Sequence, residues 1–380
     1  MDRLHLSQSE LLAYHRAIRW THERRITISV LDLEHKLIST LTPRFISGEM
    51  TVDTTRDVSR IVTMSFLDPS RSIRFEPDGP SGLPVNRKRM LQVTYSVRVP
   101  ELERWVDCVV FTGPVWDFER AGAQVNLTAH GKERLMLDQA GKHRVFPRKV
   151  AKTHILRQLF ADAGETHLSI PDLPVTTPER VTVGRMDSRW LKGQPIAGSM
   201  SRDLFYNGAG TAVLRRRSER PVFTFDARTM MSDVTIGRDD PENLRNTWEV
   251  TGADPKGPKP KIRVVLDLPD KHPMSSSPVH GLGRNGQRSY LIETYENSHF
   301  KHKAEAHKRA AKMRDDGQRL LTHYTFDSLP IAHLEENDLV RVVSDEGTYL
   351  VRMSQWTLPF DLDGSPAMTV GALRRTTGRR

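Results

Sequence analysis

What most constrains this chain is a change of period near Arg25. From there Ile26, Ile28 and Val30 alternate with polar residues, the period-two pattern of a half-buried strand. Five more strand-like runs follow, at 45–52, 60–66, 91–99, 108–118 and 124–129. Turn signals such as Asp68-Pro69, Asp78-Gly79-Pro80 and Ser81-Gly82 separate them. No helical pattern alternates with these runs. Parallel strands need long crossover connections, so the spacing argues against a parallel α/β sheet and predicts an antiparallel sandwich or barrel.

The rest of the chain is organised around this block. Residues 1–25 read as a short amphipathic helix from Ser9, a plausible N-cap, to Ile18, followed by an arm. Residues 26–137 form the first β domain. Residues 138–245 form a smaller α+β insertion. In it a helix is predicted over 149–163, with Ile155, Leu156, Leu159, Phe160 and Ala163 on one face and Gly164 as its stop. Pro171, Pro174, Pro178 and Pro195 break the next stretch into loops, and 211–214 with 221–226 read as a small hairpin around a basic loop, 215–220. Residues 246–380 form a second β domain: strands at 246–252 and 261–268, a Pro/Lys-rich connector at 253–261, a long loop at 269–288, a polar helix at 298–317, and a terminal meander at 320–326, 338–343, 348–360 and 367–373. The helix carries a narrow stripe of Phe300, Ala304, His307 and Ala311, which suits a thin seam against a sheet or a neighbouring chain. The fold class is mainly β with a few helices, α+β.

Composition fits several thin cores better than one thick one. Of 380 residues, 37% are hydrophobic and 27% charged. The single cysteine, Cys108, lies in an apolar run and reads as a buried small side chain. No apolar run reaches the roughly 18 residues that span a bilayer, and the first residues lack a signal peptide's apolar core. A net charge of +10 suggests acidic partners or phosphates. The basic runs, 87–89, 215–217, 374–375 and 379–380, have no interleaved stacking aromatics, so a solvated face or an acidic neighbour explains them better than a nucleic-acid groove.

Catalytic chemistry finds little support. Residues 252–259 superficially resemble a phosphate-binding loop, but Pro258 stands where the lysine belongs and no Ser/Thr follows. Ser199 and Ser201 do not sit in a Gly-x-Ser-x-Gly elbow. His299, His302 and His307 are spaced for a metal, yet no carboxylate or cysteine completes the set. Asp239-Asp240 and Asp315-Asp316 suit turns and helix ends. Trp20, Trp105, Trp116, Trp190, Trp248 and Trp356 are spread out as packing anchors. The reading assigns no catalytic, metal or cofactor-binding residue.

Three groups of segments carry a family likeness: 28–35 with 46–53 and 63–68; 211–214 with 221–226 and 246–252; and 330–340 with 354–361 and 366–370. Together they resemble the tail hub, or minor tail, proteins of long-tailed actinobacterial phages, similar in turn to the trimeric hubs of contractile-tail baseplates and of type VI secretion spikes. The resemblance implies two tube-type antiparallel β-barrel or sandwich domains with an inserted domain, and no enzyme activity. It implies a homotrimeric ring at the virion tail tip, assembled in the host cytoplasm. The implied partners are the distal tail protein, the tape-measure protein and tail fibre or tip proteins, with DNA passing through the lumen. A distal tail ring is the alternative role, and a tail-associated cell-wall hydrolase a weaker one.

Overall fold

The computed structural model describes residues 4–20, 22–41, 44–69, 89–237, 245–252, 262–296, 303–319, 323–345, 347–361, 367–371 and 374–375. The chain divides into two compact units: residues 1–234 with 325–373 and 380, and residues 235–324 with 374–379.

The first unit opens with helix α1, Gln8–Ala17. Its cap is Ser7 rather than Ser9. Ser7 accepts from the Glu10 backbone N–H while Glu10 reaches back to the Ser7 N–H, a capping box that satisfies two orphan donors. Ala13, Tyr14 and Ile18 are buried. Glu10 pairs with Arg104 at 2.5 Å and Arg16 with Glu101 at 2.6 Å, so the helix is tied to the strand block.

The strand block matches its prediction closely: β1 Arg24–Leu31, β2 Leu37–Leu41, β3 Arg44–Asp53, β4 Arg60–Leu67, β5 Met90–Val99, β6 Arg104–Ala121 and β7 Gln124–His130. Only β2 lacks a sequence signal. All neighbouring pairs in the order β3-β4-β7-β6-β5-β1-β2 are antiparallel. Strand β6 belongs to two partners in succession. It pairs with β5 as far as Pro114 and with β7 from Val115. Just before the changeover lies Gly113, where a Cβ would meet the His130 carbonyl oxygen at 2.0 Å; only glycine lets the two backbones approach so closely. Met50, Val52, Val62, Phe66, Val93, Tyr95, Phe111 and Val125 are buried at alternating positions, the signature of a sheet with one face on the core.

After the strand block come α2 Glu133–Met136, β8 Arg144–Phe146, α3 Lys152–Ala161, β9 Leu168–Ser169, β10 Val181–Val183, α4 Arg189–Gly198, β11 Arg202–Tyr206, β12 Ala212–Arg216 and β13 Phe223–Phe225. Helix α3 serves two small cores. Leu156 and Phe160 join Trp190, Leu204 and Tyr206, while Ile155 and Leu159 join Phe146 and Val183. Gly164 ends the segment at φ +76°, as expected; Ala163 lies past the helix and is exposed. Two expectations fail here. The stretch read as loop contains α4, which tolerates Pro195 inside it and is capped by Ser188. The expected hairpin does not form: β12 pairs antiparallel with β11 and parallel with β9, while β13 pairs in parallel with a strand far along the chain.

The second unit holds β14 Thr235–Gly237, β15 Thr247–Gly252, β16 Ile262–Asp267, β17 Ile292–Glu296 and α5 Lys303–Arg319. Strand β15 is central, antiparallel to β16 and parallel to β17. Helix α5 packs on this sheet through Ala306, Ala310 and Met313, against Trp248, Val250, Val264 and Leu268. The seam is rotated from the predicted one. Ala304 and His307 are exposed, and Phe300 lies outside the described residues. The long loop after β16 is internally closed, with Ser275, Ser276 and Ser277 buried and Arg288 pairing with Asp270 at 2.7 Å.

The chain returns to the first unit within β18 His323–Ser328 and continues with β19 Leu339–Ser344, β20 Gly347–Arg352, β21 Gln355–Pro359 and β22 Met368–Gly371. Strand β21 pairs with β3 in register Gln355↔Asp53 to Pro359↔Glu49 and carries β22 and then β18 on its other side. The compact division therefore departs from the sequence grouping of 246–380, because these strands complete a sheet begun by β3. Strand β13 adds to β19 in parallel, and β20 pairs antiparallel with β19.

Candidate functional site

Three chain segments of the first unit meet at a buried ionic junction. The start of β4 supplies Arg60 and the residue before it, Ser59; the β7–α2 turn supplies Lys132 and α2 its first residue, Glu133; the turn before β19 supplies Glu335, Glu336 and Asp338. Arg60 is 2% exposed and Glu133 0%, so these charges must satisfy one another. Arg60 donates to Glu335, lies 3.5 Å from Glu336 through its Nε, and donates to the Val110 carbonyl at 3.0 Å. Burial works against the guanidinium charge, but Glu335, Glu336 and Glu133 outweigh it and raise the arginine's pKa. Glu336 goes the other way: burial pushes it up to about 8 despite Arg60, and burial likewise raises Glu133.

Residues between α3 and β12 are tied to the same junction. In the turn after β11, the Gly208 N–H donates to Glu335 at 3.0 Å, and its carbonyl accepts from Thr112 at 3.0 Å. A Cβ at Gly208 would sit 2.2 Å from the Val109 carbonyl oxygen, so glycine is required for this approach to β6. Lys132 pairs with Glu165 at 2.6 Å and donates to His35 at 3.0 Å. Burial, Lys132 and the His167 ring stacked 3.7 Å away push His35 down to about 4, so the neutral ring can accept that hydrogen bond. Burial lowers the Lys132 pKa, and Glu165 opposes the shift.

The basic run at 215–217 is spent on this chain's own acids. Arg215 pairs with Asp338 at 3.0 Å and lies over the Phe205 ring, Arg216 pairs with Glu219, and Arg217 with Asp203. Residues 87–88 and 379–380 of the other basic runs lie outside the described residues. His299 and His302 also lie outside them, and His307 is exposed. Among the described residues no group of His, Cys, Asp and Glu could hold a metal. Asp239-Asp240 and the 253–261 loop fall outside the described residues as well. Trp190, Trp248 and Trp356 are core anchors, whereas Trp20 is 65% exposed. Cys108 is buried and donates to the Ala332 carbonyl at 3.4 Å. Among the described residues no helix is long and apolar enough to cross a membrane.

Sequence reasoning missed the junction. The available cue was Glu335-Glu336-x-Asp338 set between the apolar pairs Ile331-Ala332 and Leu339-Val340, where three acids can be solvated only by other side chains.

A second feature faces outward. Strand β2 ends its sheet, and among the described residues no strand pairs with its outer edge. Leu37 is 63% and Ile38 43% exposed. An apolar edge with open hydrogen-bonding groups is a template for another chain.

No protein-family model and no curated protein matches the sequence. Solved structures do. The 43 kDa tail protein of prophage MuSo2 from Shewanella oneidensis aligns with a TM-score of 0.62 at 11% identity, covering 93% of this chain and 98% of that one. The chain has the fold of phage tail proteins. A tail protein from Neisseria meningitidis gives 0.61 at 13% identity over 93% and 97% of the two chains. Prophage tail protein gp18 from Listeria monocytogenes gives 0.54 at 12% identity over 91% and 94%. The mainly β, α+β class is thereby shared with tail proteins.

Proposed function

We propose that this chain is a structural virion protein, the hub of a phage tail tip, and that three copies form a ring continuing the tail tube. The observation that carries this is the shared fold over nearly the whole of both chains with the prophage MuSo2 tail protein. In this reading residues 26–137 are the first tube-type domain, residues 246–380 the second, and 138–245 are inserted between them. Two such domains in each of three copies give sixfold pseudo-symmetry. The exposed edge of β2 supports ring closure, because pairing it with the next copy would cover Leu37 and Ile38 and remove an open edge. Partners are then the distal tail protein, the tape-measure protein and tip or fibre proteins, with DNA in transit through the lumen. The protein acts by assembly and not as an enzyme, at the virion tail tip of a long-tailed actinobacterial phage, after assembly in the host cytoplasm.

Light scattering with negative-stain imaging of the purified chain tests this. A trimeric ring with a central hole is expected, and Leu37→Lys with Ile38→Lys should leave the fold intact while dissociating the ring. A hexamer would move the chain to the distal tail ring. A monomer that also fails to join purified tail tubes would sink both.

A further inference from the structure

Ser59 stands between two carboxyl groups. Its Oγ lies 2.9 Å from Glu133 Oε1 and 2.6 Å from Glu336 Oε1. A hydroxyl carries one hydrogen and can donate it to one of them. The other short contact needs a hydrogen from the carboxyl itself; otherwise two bare oxygens would meet where no water screens them. Glu133 is 0%, Glu336 4% and Ser59 7% exposed. We propose that Glu133, Ser59 and Glu336 hold one shared proton that latches the turn before β19 onto β4 and α2.

The charges around the pair leave room for that proton. From β4, Arg60 is the one cation facing it; Arg60 donates to Glu335 and stands 3.5 Å from Glu336 through its Nε. From β12, Arg215 is taken by Asp338. From the β7–α2 turn, Lys132 is taken by Glu165, which also accepts from Tyr206 of β11 at 3.1 Å. One guanidinium thus meets three carboxyl groups, and a neutral acid relieves the excess. Burial acts in the same direction on both glutamates. Because the two groups share the proton, it belongs to the pair rather than to either residue.

Releasing the proton breaks a carboxyl O–H bond, sends the proton to solvent, and leaves two carboxylates competing for one hydroxyl hydrogen. The folded-state pKa lies above the unfolded one. The stabilisation is therefore full below the ordinary carboxyl range and is lost as pH rises through about 8.

Infrared spectroscopy of the whole chain tests this directly. The wild type at neutral pH should show a protonated-carboxyl carbonyl band that disappears as pH is raised through about 8, and Glu336→Gln and Glu133→Gln should each remove it. In parallel, the wild-type thermal midpoint should fall from about pH 6 to about pH 9, while Glu336→Gln, an isostere of the neutral acid, should show a flatter profile. No such band in the wild type, or a band unchanged in both variants, overturns the proposal. So does an equal fall in midpoint for wild type and Glu336→Gln. If a glutamine variant fails to fold, the wild-type band and its titration alone decide. Neither readout depends on whether the chain forms a tail ring.

Discussion

The two compact units treat charge in opposite ways. In the unit of residues 235–324 the core described is Trp248, Val250, Val264, Ala306, Ala310 and Met313. Among the described residues its ion pairs Arg263–Glu249 and Arg288–Asp270 each have an arginine that faces solvent. In the other unit Arg60, Glu133, Glu335 and Glu336 are interior residues beside ordinary apolar strands. An apolar seam tolerates any side chains of about the right volume. A buried charge tolerates only a partner of the right sign in the right place. The second unit is therefore held by bulk, and the first, whose sheet is assembled from distant parts of the chain, by bulk plus specific pairing.

The comparison breaks most visibly at Arg60. Arg60→Ala strands several buried carboxyls and should cost about 3–5 kcal/mol in chemical denaturation; a loss below about 1 kcal/mol would mean that the junction is incidental. Met313→Ala should cost less, about 2 kcal/mol, as a cavity in a seam that can partly collapse. Its signature should be faster amide exchange in α5, β15 and β16. Gly208→Ala should lie in the range of an overpacked contact, about 1–3 kcal/mol, because the Val109 carbonyl cannot yield without moving β6. Arg263→Ala should leave the denaturation midpoint where it was. A shift as large as that of Met313→Ala would erase the distinction between inside and outside pairs.

Sequence patterning reached the strands of 26–130 because each is half-buried, and a half-buried strand writes its period into the residues. Strand β2 is exposed at four of its five positions and writes nothing. Helix α4 was hidden by Pro195 and by the prolines before it, although Ser188 was present as a cap signal. The supposed hairpin at 211–226 came from treating neighbours in sequence as neighbours in space, whereas β13 finds its partner in β19. The seam of α5 was misphased: Ala304, His307 and Ala311 were counted in place of Ala306, Ala310 and Met313. The junction was the least legible part. Each of its residues, read singly, is an ordinary surface charge, and only the return of residues 335–338 to β4 makes them interior.

Strand β6 has a mechanical consequence. Its 18 residues run unbroken from pairing with β5 into pairing with β7. Tension applied along it passes between the two sets of strands through covalent bonds, without crossing a layer of side-chain contacts. Such a spine should make both halves yield together under load, and a single-molecule pulling trace should show one rupture for the strand block instead of two.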